Sequence, residues 1–373
     1  MKKKISKAFF ALELLYLIFP FVSCKNETPI VTPAYEIISG KTMGTTYTIQ
    51  HDLKSISLEN EVDSILHAIN QSVSTYVENS TISKINKGKD CIEINVLVQS
   101  QISSQCLIEF QDDIHFLKNF NASFSIYNIT DGYFDPTIMP LVNYWGFGYD
   151  PKKAVTKVDS LKVNELQKRL GFDKWTLSQN REALKIIKPQ VAELDFSAIA
   201  KGYAVDYLSQ FLLDKGSQNF IVEIGGEVFA KGVNAHGKPW TIGLNEPKEN
   251  ASINDFSAFV NLDDLGLASS GNYRNFYTVN GKKYGHEINP LTGYPELNKL
   301  LGVSVISTSC MEADAYATAF MVMGLEKSKE KVETLNNVEA CFFVSNETKN
   351  IDKIYSAGFQ SFIKKSGNLS PTD

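Results

Sequence analysis

Residues 195–230 read DFSAIAKGYAVDYLSQFLLDKGSQNFIVEIGGEVFA. Ala200, Ala204, Leu208, Phe211 and Leu212 fall at three- and four-residue spacing, which predicts a helix over Ala198–Leu213 that ends near Gly216. Asn219–Ala230 then reads as a strand broken by Gly225-Gly226. Downstream, Trp240–Leu244 reads as another strand and Tyr277–Ile288 as a hairpin turning at Asn280-Gly281. Further strands are expected over Val303–Ser307, Ala340–Val344 and Lys353–Phe359, with helices over Glu312–Met323 and Lys327–Leu335. Upstream, Tyr35–Ile38 and Thr45–Ile49 read as strands. The spacing of Leu58, Val62, Ile65, Leu66, Ile69 and Val73 predicts a helix after a Ser57 cap. A longer helix is expected over Gln99–Ile129, followed by a charged segment, 150–193, that reads as an inserted subdomain. Strands grouped in hairpins with helices between them indicate an α+β fold rather than a regular βαβ succession.

The chain has 373 residues, 43% hydrophobic and 21% charged, with a formal net charge of -5. That composition supports a sizeable globular core, and it lacks the basic footprint that binding a phosphate backbone requires, so nucleic acid is not an expected partner. Lys2, Lys3, Lys4 and Lys7 precede an apolar run, Phe9–Val22, that stops at Ser23-Cys24. The run is short for a membrane span and contains Glu13, so it reads as an export signal. It resembles a bacterial lipoprotein signal, with residues 1–23 removed, Cys24 carrying lipid and 24–34 serving as a polar tether; Phe21 departs from the usual aliphatic residue three before the cysteine. The expected location is a bacterial membrane surface facing the periplasm. Cys91, Cys106, Cys310 and Cys341 form no CxxC pair and have no histidine at zinc-ligand spacing, which argues against a zinc site. Buried free thiols are expected, a Cys91–Cys106 bridge being one of three possible connectivities.

Several clusters carry chemistry. Asp195 stands before the predicted helix, where it serves as an N-cap or faces an anion held by free N–H groups, and Lys201 reaches toward phosphate. Asp314 and Thr318, four apart, share a helical face, and a carboxylate with a hydroxyl and a carbonyl suits Mg²⁺. Met43, between Gly40 and Gly44, offers a soft surface to a planar ring. His286 is the histidine whose surroundings suggest proton transfer, whereas His51, His67, His115 and His236 are assigned to surface or core.

In order, the motifs GKTMGTTY (40–47), STY (74–76), GYFDPT (132–137), WGFG (145–148), DFSAIAKGYAVD (195–206), IGGEV (224–228), SGNYRNFY (270–277), HEINPLTGYP (286–295) and ADAYATAF (313–320) resemble those of the ApbE family, FAD:protein FMN transferases, over roughly 35–365. The resemblance implies mixed sheets with packed helices, related to the T-fold, and an FAD cleft between two lobes. It implies that Met43 and Tyr76 pack against a ring, that Tyr133, Phe134 and Asp135 line the cleft, and that Asp195, Lys201, Gly225, Gly226 and Ile288 contact the nucleotide. Asp314, Thr318 and the Ala198 carbonyl would hold Mg²⁺, with His286 and Asp314 catalytic. The implied acceptors are flavin-carrying subunits of membrane redox complexes such as sodium-pumping NADH:quinone reductase. A lipoprotein that merely holds FAD, or an FAD pyrophosphatase, would use many of the same residues. Glu227, Asn289, Ser197 and Ala198 depart from commoner family spellings.

Overall fold

A computed structural model describes residues 34–364 apart from 55–56, 89–90, 99–100, 149–154, 156, 180–182, 249–250, 253–254, 273–275, 280–281, 297–298 and 349. The export signal, Cys24, nearly all of the tether and the Asn280-Gly281 turn lie outside the described residues. The chain opens with the hairpin β1 (Glu36–Thr42) and β2 (Thr45–His51), then α1 (Glu59–Val73) and α2 (Thr81–Asn86). A second hairpin, β3 (Ile92–Val98) and β4 (Gln101–Gln111), leads to α3 (Ile114–Ile129), α4 (Met139–Tyr144) and α5 (Ser160–Gln167). Next come β5 (Thr176–Gln179), β6 (Ala183–Pro189), α6 (Ala200–Asp214), β7 (Phe220–Ile224) and β8 (Glu227–Lys231). Then follow β9 (Trp240–Asn245), β10 (Phe256–Leu262), β11 (Leu265–Gly271), β12 (Phe276–Val279) and β13 (Lys282–Gly285). The chain continues with β14 (Leu300–Ser307), α7 (Cys310–Met323), α8 (Leu325–Val332), β15 (Val338–Ser345) and β16 (Ile351–Tyr355).

Eight strands form one antiparallel sheet in the order β1-β2-β7-β8-β11-β14-β15-β16. Its two faces are both covered, and the strand period of two sorts the side chains between them. On β15, Ala340 and Phe342 enter the main core beneath α1, α6 and α7, while Cys341 and Phe343 enter a second core shared with Trp240, Leu244, Val260 and Leu262 of the β9–β10 hairpin. A third cluster joins Leu141, Trp145, Val163, Leu166 and Leu170 to Ile288. The α+β reading thus holds: mixed sheets are packed with helices.

The helix expected over Gln99–Ile129 is corrected. Residues Gln101–Gln111 form a strand paired with β3 and β6, and Ile114–Ile129 alone is helical. Cys106 and Ile108 are buried in the main core and Phe110 packs against it, while Glu109 is exposed, a period of two that a helical face does not have. Asp113 then starts the helix by accepting the Phe116 N–H at 3.0 Å. The 150–193 segment supplies α5 to the third cluster, and β5 and β6 to a sheet ordered β3-β4-β6-β5. A disulfide joins Cys91 to Cys106, with Cα atoms 5.4 Å apart, while Cys310 and Cys341 are buried free thiols. Among the described residues no helix is long and apolar enough to cross a membrane.

The tightest junction lies where α7 meets α6 and β11. A Cβ on Gly202 would come 2.4 Å from the Cys310 carbonyl oxygen, and one on Gly266 2.5 Å from the Cys310 nitrogen. Both obstacles are backbone, so a methyl group can be accommodated only by moving the helix. Gly202→Ala is therefore expected to lower unfolding stability by about 3 kcal/mol in urea titration. An unchanged midpoint would show that the two helices have room to separate.

Candidate functional site

A cleft of about 660 Å³ opens where β8, β9, β11 and β14 meet α6, α7 and the segments around residues 133–148 and 286–290. Its size lies within the ~300–1,000 Å³ typical of small-molecule sites. Its lining includes Tyr76, Tyr133, Phe134, Asp135, Asp195, Ala198, Lys201, Gly225, Gly226, His286, Ile288, Asp314 and Thr318. Met43 is apart from them. It occupies the β1–β2 turn with φ 48°, packed against the main core and absent from the cleft lining. The adjoining Thr45 nonetheless abuts the glycine turn, since a Cβ on Gly225 would meet its Cγ2 at 2.7 Å. Gly225 and Gly226 have φ of 65° and 106°, so this turn favours residues without a side chain.

Within the cleft, the close approach of α6 and α7 brings together charges far apart in sequence. Asp314, 4% exposed, accepts the Gly202 backbone N–H at 3.0 Å. Lys201 Nζ lies 2.8 Å from Glu227 Oε1 and 3.7 Å from Asp314 Oδ2. Burial alone would lower the pKa of Lys201, but the two carboxylates override it and raise it. Burial pushes Glu227 up to about 7, with Lys201 pulling downward and Asp314 adding to the rise. Among the described residues, Glu227 Oε2 is buried without a hydrogen-bond partner. One turn beyond Asp314, Thr318 Oγ1 is 3.2 Å from Ser270 Oγ.

Asp314, Thr318 and Ala198 all line the cleft, and the first two bring a carboxylate and a hydroxyl as hard oxygen donors. Among the described residues, no group of three or more His, Cys, Asp or Glu is placed to hold a metal ion. A Mg²⁺ ion that keeps waters and shares substrate phosphates needs one or two carboxylates, so this donor set fits it.

Asp206, which the motifs alone did not single out, fixes the α6–α7 junction. Its carboxylate accepts Ser309 Oγ–H at 2.7 Å and the backbone N–H groups of Cys310 and Met311 at 2.8 and 2.9 Å, tying α6 to the start of α7. Burial raises its pKa from the ordinary 3.8 to about 6. The folded protein therefore holds this proton more tightly than the unfolded chain does. The resulting stability is fully present below pH 3.8 and is lost as pH rises to about 6. Over that window the native protein should lose on the order of 2–3 kcal/mol relative to Asp206→Asn. Parallel stability–pH curves for the two proteins would contradict this assignment.

The sequence before α6 is a brace rather than a helix cap. Asp195 Oδ1 accepts both the Ser197 N–H at 2.8 Å and its hydroxyl at 2.5 Å, while the Asp195 N–H donates to the Pro136 carbonyl at 2.7 Å. The cap position of α6 is Ile199, with no side-chain hydrogen bond. Asp135 is likewise turned on its own loop, accepting Thr137 N–H and Oγ–H at 2.8 and 2.7 Å, and burial pushes it up to about 6. Lys327 from α8 donates to the Tyr133 hydroxyl and lies over its ring.

His286 Nε2 lies 3.2 Å from Oε1 of Glu287, whose side chain is buried. The loop after it folds back through Ile288 pairing with Pro295 and the Gly293 N–H donating to the Asn289 carbonyl at 2.7 Å. Trp145, fully buried, donates from its indole N–H to the Gly293 carbonyl at 2.9 Å and stacks on Tyr284 at 5.3 Å. The WGFG motif thus supports the loop that carries the histidine. None of the other histidines lines the cleft: His51 is fully buried, His67 and His236 are exposed, and His115 Nδ1 is 2.8 Å from the Tyr203 hydroxyl.

Comparison with known proteins places this fold in the class of flavin transferases. The chain belongs to the ApbE family, which its residues 43–342 match. It is 35% identical over 345 residues to the FAD:protein FMN transferase of Haemophilus influenzae, covering 90% of this chain and 92% of that protein. The corresponding transferase of Vibrio cholerae is 33% identical over 340 residues, covering 89% and 94%. Among solved structures, the flavin transferase ApbE from Vibrio cholerae superposes with a TM-score of 0.73 at 30% identity, covering 88% of this chain and 99% of that one. The apo flavinyl transferase ApbE of Pseudomonas stutzeri gives 0.75 at 28% identity, covering 90% and 98%.

Proposed function

We propose that this chain is an FAD:protein FMN transferase that moves FMN from FAD to a threonine or serine hydroxyl of an acceptor protein and releases AMP. The observation that carries the reading is the meeting of Asp314, Thr318, Ala198 and Lys201 in the cleft that also presents His286. Tyr76 and Tyr133 give aromatic faces for the ring systems, and the glycine turn admits close approach of the nucleotide to backbone. Asp314, Thr318 and the Ala198 carbonyl would hold Mg²⁺, which when bound supplies positive charge beside the pyrophosphate.

In the reaction, the acceptor oxygen bonds to the FMN phosphorus, the anhydride bond to AMP breaks, and His286 takes the hydroxyl proton. Glu287 lies beside the His286 ring and orients it. Transfer of this kind depends chiefly on positioning and charge neutralisation, which is what a rigid α6–α7 junction provides.

Acceptors are proposed to be flavin-carrying subunits of membrane redox complexes such as sodium-pumping NADH:quinone reductase. Anchoring through a lipid on Cys24, facing the periplasm, would bring the cleft to them. Incubation with FAD and Mg²⁺, with and without a candidate acceptor, tests the activity. A transferase adds FMN mass to an acceptor Thr or Ser. An FAD pyrophosphatase releases FMN and AMP whether or not acceptor is present, and a binding protein leaves FAD whole; either result overturns the proposal.

A further inference from the structure

Glu227 takes no part in the reaction outlined above, yet its carboxylate is buried in the cleft wall. One oxygen is paired with Lys201 at 2.8 Å, and the other is buried without a hydrogen-bond partner among the described residues. The same Lys201 ammonium stands 3.7 Å from Asp314, the proposed carboxylate ligand of the divalent cation. A cation arriving at Asp314 therefore meets a positive charge already in place. Two cations cannot share one buried carboxylate without repulsion, so the ammonium has to be held elsewhere.

The unpartnered oxygen of Glu227 supplies that place. An ammonium carries three donors, and a carboxylate accepts at both oxygens, so Lys201 can shift fully onto Glu227 without leaving its buried surroundings. We propose that Glu227 is a positioning residue that draws Lys201 off Asp314 as the divalent cation binds, so that the two positive charges do not compete for one ligand. This rests on the reading that Asp314 and Thr318 hold the cation. It also accounts for a glutamate after the double glycine: its carboxylate bridges from β8 to the start of α6, between residues far apart in sequence.

A double-mutant cycle on Mn²⁺ affinity, followed by the paramagnetic resonance of free Mn²⁺, tests the proposal without reference to turnover. Glu227→Gln should weaken Mn²⁺ binding by about tenfold or more, because Lys201 is left on Asp314 alone. Lys201→Met in the native background should change affinity by less than about threefold, and in the Glu227→Gln background it should restore affinity to within about threefold of native. If Lys201→Met tightens binding by the same factor in both backgrounds, the effects are simple additive charge effects and the proposal is overturned. Should Glu227→Gln fail to fold, Lys201→Met alone decides, since tightening by about tenfold in the native background would show that Lys201 was never drawn aside. A native protein that binds no Mn²⁺ overturns the metal reading itself, whereas binding with an additive cycle overturns the role of Glu227 only.

Discussion

Asp314→Asn is expected to reduce FMN transfer by about 10³-fold or more, with little loss of folded protein. Asparagine keeps an oxygen that can accept the Gly202 N–H, so the α6–α7 junction retains its hydrogen bond. What it removes is the negative charge that would hold a divalent cation beside the pyrophosphate. By the relation between rate and barrier, the loss corresponds to about 4 kcal/mol of transition-state stabilisation. In-gel flavin fluorescence of a co-incubated acceptor measures it. Turnover within a few-fold of native at ordinary magnesium would remove Asp314 from the chemistry.

His286→Ala should lower transfer by about 10²–10⁴-fold while leaving FAD affinity close to native, because general-base catalysis acts on the acceptor hydroxyl rather than on nucleotide binding. The cleft surfaces on which FAD is proposed to lie belong mostly to other elements, α6, α7, the glycine turn and the 133–135 segment. FAD binding followed by quenching of flavin fluorescence, alongside single-turnover transfer, separates the two effects. A variant that loses affinity and rate in proportion would make His286 a binding residue only.

These expectations draw on features of different legibility in sequence. The helix α6 and the β7–β8 strands were readable because each satisfies one strong local rule, a 3.6-residue apolar stripe or a run broken by two glycines. Strand β4 was not, because its inward residues Cys106 and Ile108 sit in a long stretch whose apolar content also suits a helix, and the stop at Asp112-Asp113 is the cue that separates the two. Strands β10 and β11 escaped for a related reason: β11 reads LGLASSG, small and polar at the end that lines the cleft.

Motif order pointed to the site's residues, and the fold places most of them in one cleft. The charge arrangement within it was not legible, because Lys201, Glu227 and Asp314 meet only after α6 and α7 close on each other at Gly202. Asp206 was hidden in the same way, since an aspartate within an apolar helix gives no local sign that it caps a different helix. Met43, a motif residue proposed to contact a ring, stands partly buried at a tight turn against the core, while Thr45 two residues on supports the glycines.

The proposed chemistry requires a nucleotide held with its pyrophosphate at the α6–α7 junction. Crystals of the protein grown with FAD and Mg²⁺ address this most directly. The predicted density places the pyrophosphate beside Asp314 and Thr318, with the phosphorus of the FMN half open to an incoming hydroxyl near His286. FAD lodged away from the α6–α7 junction, or phosphates turned from Asp314 toward solvent, would contradict it.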